Sequence, residues 1–223
     1  KSVFLEKDPK PDSGITSIED LFSGMEIFKS QASGLAFVSD GGETYILSAE
    51  HFCDMENREL SRIASSGEMG TISQNISASD LYGDNWSTEV VFYDRSTDLC
   101  LLSSDMPLSE TIYLSSTYPK MGDTVYAIAA PRGVSSPGVA LHFEGTFSGC
   151  DSMDMCFFTL PATFGSSGGI ILNHRREIVA MIQMTVGGID DVSLGVGVNT
   201  IRAFLEDAER GLDVSLVRSN TFP

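Results

Sequence analysis

Three stretches of the chain carry residue types that could do acyl-transfer chemistry. The first is Gly165-Ser-Ser-Gly-Gly169. A serine inside a glycine-rich turn can hold its hydroxyl exposed. The flanking glycines let the backbone aim the N–H groups of Gly165 and Ser167 at one spot, as stabilisation of an oxyanion requires. The second is Leu47-Ser-Ala-Glu-His51-Phe-Cys53, where a histidine follows the apolar run Thr44-Tyr-Ile-Leu47. The third is Asp94-Arg-Ser-Thr-Asp98-Leu-Cys-Leu-Leu102, where an acid enters an apolar strand and an ionised group needs a partner. Each has a plainer reading. Glycine–serine tracts are commonly flexible loops, a lone histidine is usually structural, and a strand-end aspartate usually closes a turn. Together they supply a base, an acid and a nucleophile in the order His, Asp, Ser. A hydroxyl needs a base to take its proton, and the imidazole needs an acid to fix its tautomer and stabilise its cation.

Rigid elements must hold these groups. Short runs rich in β-branched and aromatic residues, separated by turn residues, predict strands near 26–31, 34–39, 43–48, 69–75, 87–93 and 99–103. A second set falls near 124–129, 138–148, 156–160, 168–173, 177–185 and 193–198. Gly41-Gly42 is a hairpin signal. Two groups of six strands predict an all-β fold of two six-stranded antiparallel Greek-key β-barrels, closed or nearly closed, since closure removes exposed edges. Thr200 to Arg210, followed by Gly211, predicts a C-terminal α-helix with a capped start and a glycine stop. The expected organisation is an N-terminal arm and short helix (1–25), a first barrel (26–110), a second barrel (111–198), and a C-terminal helix and tail (199–223). Residues 1–16 read as extended, 17–24 as the short helix capped by Thr16 or Ser17, and 110–120 as the linker. The histidine and the acid then fall in one barrel and Ser167 in the other. The site would lie in the cleft between them.

Composition narrows the function classes. Of 223 residues, 42% are hydrophobic and 20% charged, which excludes a disordered chain. No apolar run approaches the roughly 18 residues of a bilayer span, so no membrane insertion is expected. The 14 Lys+Arg against 31 Asp+Glu give −17, which repels phosphate and excludes nucleic acid as a partner. Residues 1–110 hold 20 acids and 7 bases, a net of −13; the remainder holds 11 and 7, a net of −4. The four cysteines, Cys53, Cys100, Cys150 and Cys156, form no Cys-x-x-Cys, and there are only three His, so no metal site is expected. Four cysteines suit either two disulfides or four buried thiols, and Cys150 and Cys156 could close a small loop across an acidic turn. Disulfides would lean towards a secreted, periplasmic or virion-associated protein. Lys1 reads as a processed or trimmed start.

The same stretches resemble the chymotrypsin-like (trypsin-like) serine peptidases, and most closely the HtrA/DegP-like branch. Ser33-Gly-Leu-Ala-Phe-Val38 followed by Tyr45-Ile-Leu-Ser-Ala-Glu-His51 is similar to that branch's strand–turn–strand leading to its histidine. Ser96-Thr-Asp98-Leu-Cys-Leu-Leu102 resembles its Thr-Asp-Leu-Ala-Leu-Leu, and Gly165 to Gly169 its Gly-Asn-Ser-Gly-Gly. Gly122-Asp-Thr-Val-Tyr-Ala-Ile-Ala-Ala-Pro131-Arg-Gly133 resembles its Gly-x-x-Val-x-Ala-Ile-Gly-x-Pro-x-Gly, and Leu194-Gly-Val-Gly-Val198 its closing strand. The resemblance implies a serine endopeptidase acting on polypeptides without a cofactor. Ser167 would be the nucleophile, His51 the general base and Asp98, rather than Asp94, the orienting acid. The Gly165 and Ser167 amides would form the oxyanion hole. Activity would rise with pH as the imidazole loses its proton.

It also implies a side-chain pocket walled by Leu160, Pro161, Ala162 and Phe164, by Gln183 and Met184, and by Gly195 on the closing strand. No acid lies in those segments, so a small or medium apolar P1 residue is expected. His142 and His174 match no reactive position and read as strand and turn residues. A Cys53–Cys100 bridge would staple the His51 and Asp98 segments together. Three departures stand out. Glu50 replaces a small or neutral residue and is expected to face solvent. Ser166 replaces Asn or Asp. No PDZ domain and no activation by a new amino terminus are expected. The alternatives are an inactive pseudoprotease kept as a binding or structural module, and a viral or phage processing peptidase.

Overall fold

The computed structural model describes residues 2–7, 25–55, 58, 61, 65, 70–134, 137–187, 189 and 191–216. The expected short helix at 17–24 lies outside them. In the first half the chain forms β1 (Ser2–Lys7), β2 (Met25–Lys29), β3 (Leu35–Val38) and β4 (Thr44–Ala49). A single helical turn, α1 (Glu50–Cys53), precedes β5 (Gly70–Asn75), β6 (Ser77–Ser79), β7 (Asn85–Asp94) and β8 (Leu99–Ser104). The six strands predicted for this half are present close to their expected positions, but among the described residues they do not close into one barrel. Five strands pair in the order β3-β4-β8-β7-β6, and β2-β1-β5 form a separate sheet. Ser2–Lys7, read from sequence as part of an extended arm, is the central strand of this separate sheet. It lies between β2 and β5 and pairs antiparallel with both.

The second half closes as expected. Its strands are β9 (Thr124–Ala129), β10 (Leu141–Cys150), β11 (Met155–Phe158), β12 (Ile170–Leu172), β13 (Ile178–Thr185) and β14 (Ser193–Gly197), joined as β10-β11-β14-β13-β12-β9. Alternation drives the closure. Val125, Ala127 and Ala129 on β9 turn inward and pack with Phe147, Phe158 and Ile171. Burying each larger apolar side chain of this kind stabilises by about 1.5–3 kcal/mol. Glu177, at the β12–β13 turn, is buried, and the Arg175 guanidinium bonded to it holds its carboxyl below the usual range.

Helix α2 (Val198–Leu212) packs on both halves. Its Ile201, Phe204 and Leu205 join Phe37, Leu47, Leu101 and Met181 in one buried cluster spanning the junction. The helix begins earlier than expected and runs through Gly211. No side chain of its own caps the start. Asp154, from the β10–β11 turn, instead accepts from the Thr200 N–H and hydroxyl, both at 2.9 Å. That places an anion at the positive end of the helix. Asp213 takes the left-handed stop position at φ 56°. Two disulfides, Cys53–Cys100 and Cys150–Cys156, pair all four cysteines. Among the described residues no helix is long and apolar enough to cross a membrane.

Candidate active site

The first half positions His51 and Asp98. The buried strand β4 delivers its chain into α1, where His51 occupies the second position. Asp98 closes the turn before β8 with φ 55°, a left-handed conformation that aspartate tolerates better than bulkier residues. The two meet closely. His51 Nδ1 lies 3.0 and 2.8 Å from the Asp98 carboxylate oxygens, and the His51 backbone N–H donates to Oδ1 at 2.8 Å. The Glu50 N–H donates to the Asp98 carbonyl at 3.0 Å. With Nδ1 against a carboxylate, the imidazole proton belongs there and Nε2 is left as an acceptor. The neighbouring Asp94 serves the turn instead. Burial pushes its carboxyl up, but hydrogen bonds from Ser96 and Thr97 hold it below the usual range.

Glu50 does not face solvent. It is 1% exposed and paired with Arg58 at 2.9 Å and Arg95 at 3.3 Å. Arg95 also pairs with Asp54, at the end of α1. Because Arg95 stands in the Asp98 turn, this ion network ties the acid's turn to the histidine's helix.

Ser167 sits in the second half, in the tight loop before β12. Internal hydrogen bonds shape the loop: Ser166 N–H to the Thr163 carbonyl, and Gly169 N–H to the Ser166 carbonyl, both at 2.9 Å. Gly165 and Gly168 adopt φ of 91° and 85°. A Cβ on Gly168 would lie 2.0 Å from the Ser33 carbonyl oxygen, so only glycine permits the approach. The Ser167 hydroxyl donates to the Gln183 carbonyl at 3.0 Å, and no hydrogen bond joins it to His51 among the described residues. The Gly165 and Ser167 N–H groups find no protein acceptor among those residues.

His51 and Ser167 line one cleft of about 570 Å³, with Phe52, Arg132, Phe164 and Met184 among its walls and no carboxylate among the described residues of its lining. Of the residues expected to form the side-chain pocket, Phe164, Gln183 and Met184 reach this cleft. Leu160 does not: it is fully buried in the barrel core. Pro161, Ala162 and Gly195 are likewise absent from the lining. Gly195 lies within the sheet, paired with Cys156 and Ile182. The Gln183 amide turns away from the cleft, donating to the Thr97 carbonyl at 2.5 Å and the Asp98 carbonyl at 3.3 Å, and so bridges the halves. His142 is an exposed strand residue and His174 an exposed turn residue. Arg132 and the Ser33–Ser48 pair escaped sequence reasoning. Their chemistry is ordinary, and only packing brings them to the loop.

A hollow of about 670 Å³ elsewhere is bordered by Asp94, Asp151, Asp154 and Asp207, with no histidine among the described residues that line it. Cys150, Asp154 and Cys156 cluster as metal ligands would, but the two sulfurs are bonded to each other.

The model of the trypsin-like peptidase domain family matches residues 32–181. No curated protein matches the sequence. Among solved structures, the serine endoprotease from Yersinia pestis superposes with a TM-score of 0.63 at 17% identity. The match covers 94% of this chain and 62% of that one, so this chain spans less than two thirds of that enzyme's length. Rv3671c from Mycobacterium tuberculosis, solved in an inactive form with a serine-to-alanine substitution, superposes with a TM-score of 0.59 at 12% identity, covering 94% of this chain and 86% of that one. At these identities the likeness is one of fold: a closed barrel, a facing sheet and a C-terminal helix. Since the family match runs from before the His51 strand to beyond the Ser167 loop, the chain belongs to the trypsin-like peptidase domain family.

Proposed function

We propose that this chain is a serine endopeptidase using Ser167, His51 and Asp98. The observation that carries the reading is the bonded His51–Asp98 pair facing the same cleft as Ser167, whose loop keeps two amides without a protein acceptor among the described residues. In this mechanism the Ser167 hydroxyl leaves the Gln183 carbonyl by rotation about its Cα–Cβ bond and turns to His51 Nε2. It attacks the scissile carbonyl as His51 takes the proton. The Gly165 and Ser167 amides hold the oxyanion, and Asp98 stabilises the imidazolium. His51 returns the proton to the leaving amine, and a water activated by His51 hydrolyses the acyl-enzyme. With no carboxylate among the described residues of the cleft lining, a basic P1 side chain lacks a counter-charge there. We therefore infer a small or medium apolar P1. The two disulfides suit a compartment outside the reducing cytosol, with a secreted, periplasmic or virion setting as the finer reading.

A fluorophosphonate probe, followed by a peptide library, tests this reading. The native chain should be labelled and Ser167→Ala should not. His51→Ala should lose roughly 10⁶-fold in kcat, and Asp98→Asn about 10⁴-fold. Neither labelling nor cleavage by the oxidised native chain would overturn the reading in favour of an inactive binding module. Strict cleavage after Arg or Lys would overturn the P1 inference.

A further inference from the structure

Ser33 lies in the loop between β2 and β3, outside the reactive triad. Its backbone N–H donates to the Ser167 carbonyl at 2.8 Å, and its own carbonyl accepts from the Ser48 hydroxyl at 2.7 Å. Its hydroxyl accepts from the Ala130 N–H at 2.9 Å and donates to the Gly165 carbonyl at 2.8 Å. A hydroxyl has one proton, and the Ala130 contact supplies its own. The Ser33 proton is therefore committed to Gly165. One side chain thus joins the nucleophile loop to the end of β9, while its carbonyl is gripped from β4, the strand that leads to His51.

The peptide planes on both sides of Gly165 are held by their carbonyls. The Phe164 carbonyl accepts from the Arg132 N–H at 2.5 Å, and the Gly165 carbonyl from Ser33. In a trans peptide the N–H and C=O point in opposite directions. Anchoring the Phe164 carbonyl therefore turns the Gly165 N–H the other way. Glycine at φ 91° offers little steric resistance to rotation of either plane, so the tethers must supply what a side chain would. The Gly165 N–H has no competing protein acceptor among the described residues.

We propose that Ser33 is a positioning residue: it fixes the carbonyl side of Gly165, so that the Gly165 N–H, carried by the preceding peptide that Arg132 anchors, stays aimed at the oxyanion. This inference rests on the serine-endopeptidase reading above. Removing its hydroxyl leaves the Gly165–Ser166 peptide held only by the Ser166 N–H on the Thr163 carbonyl, with Ser167, His51 and Asp98 in place.

The test compares native protein, Ser33→Ala and Ser33→Thr by steady-state cleavage, thermal melting and affinity for a peptide boronate, whose tetrahedral adduct occupies the oxyanion site. Ser33→Ala should lose about 10- to 100-fold in kcat with KM nearly unchanged, less than the roughly 10²–10³ that follows loss of an oxyanion donor itself. Boronate affinity should fall by a similar factor. Ser33→Thr, which keeps the hydroxyl, should recover most of both. A folded Ser33→Ala with native kcat and boronate affinity overturns the proposal, as does a Ser33→Thr as impaired as Ser33→Ala. If Ser33→Ala does not fold, Ser48→Ala decides. It releases the Ser33 carbonyl while removing no hydrogen bond of the loop itself, and should weaken boronate binding; unchanged binding overturns the proposal. A native protein that neither cleaves nor labels removes the underlying reading, whereas native activity with unaltered Ser33 and Ser48 variants removes this inference alone.

Discussion

Glu50 illustrates what a single residue contributes beside a reactive one. A buried carboxylate persists only with partners, and Glu50 has two arginines, Arg58 and Arg95. Arg95 stands 45 positions along the chain from Glu50, so neighbouring sequence could not reveal the pairing. Glu50→Ala should destabilise the fold by about 1–3 kcal/mol through the charge-assisted hydrogen bonds it loses with Arg58 and Arg95. It should also lower kcat more than KM, because Arg95 ties the Asp98 turn to the His51 helix. Urea denaturation and steady-state kinetics check this. Unchanged stability together with unchanged kcat would show that the network is incidental. Ser167, His51 and Asp98 were legible because their types and order are chemically rare in combination. The Thr-Asp-Leu resemblance already chose Asp98 over Asp94, and in the fold Asp94 is occupied by its own turn while Asp98 faces the imidazole.

At the scale of elements, the short helix α1 is held chiefly from outside. Four residues are too few to be stable as an isolated helix. The Cys53–Cys100 bridge anchors its last residue to β8, one strand position after the Asp98–Leu99 junction. The loop it closes spans a sequence separation of 47, against 6 for Cys150–Cys156. By loop-closure entropy, removing the first bridge with a Cys53→Ala/Cys100→Ala double variant should cost about 4 kcal/mol, and removing the second about 2 kcal/mol. Only the first should also depress kcat, since only it borders the His51–Asp98 pair. Equal kinetic losses from both, in denaturant-matched assays, would contradict that assignment. Strand positions were readable from alternation. The capping of α2 by Asp154 was not, because the acid comes from a hairpin 44 or more residues before the helix it caps.

At the scale of the whole molecule, the −17 charge lies mostly in residues 1–110, which hold −13, while the described residues of the cleft lining include Arg132 and no carboxylate. The surface field should therefore draw cationic peptides towards the cleft without supplying a basic P1 pocket. Raising ionic strength from about 20 to about 500 mM should lower kcat/KM for a cationic peptide by roughly threefold or more and raise it for an anionic one. Salt responses equal for both peptides would reduce the acidity to solubility alone. The sequence by itself determined what is read directly along the chain: strand periodicity, the glycine-rich loop around Ser167, the order His51, Asp98, Ser167, the Thr-Asp-Leu frame of Asp98, and the cysteine count. Tertiary structure alone decided that Glu50 is buried against Arg58 and Arg95, that Leu160 and Gly195 leave the cleft, that Ser2–Lys7 pairs with β2 and β5 in a sheet of its own, and that Ser33 grips the Gly165 carbonyl. Each of those is a contact between distant segments, set by the packing of the two halves and α2 around a shared core.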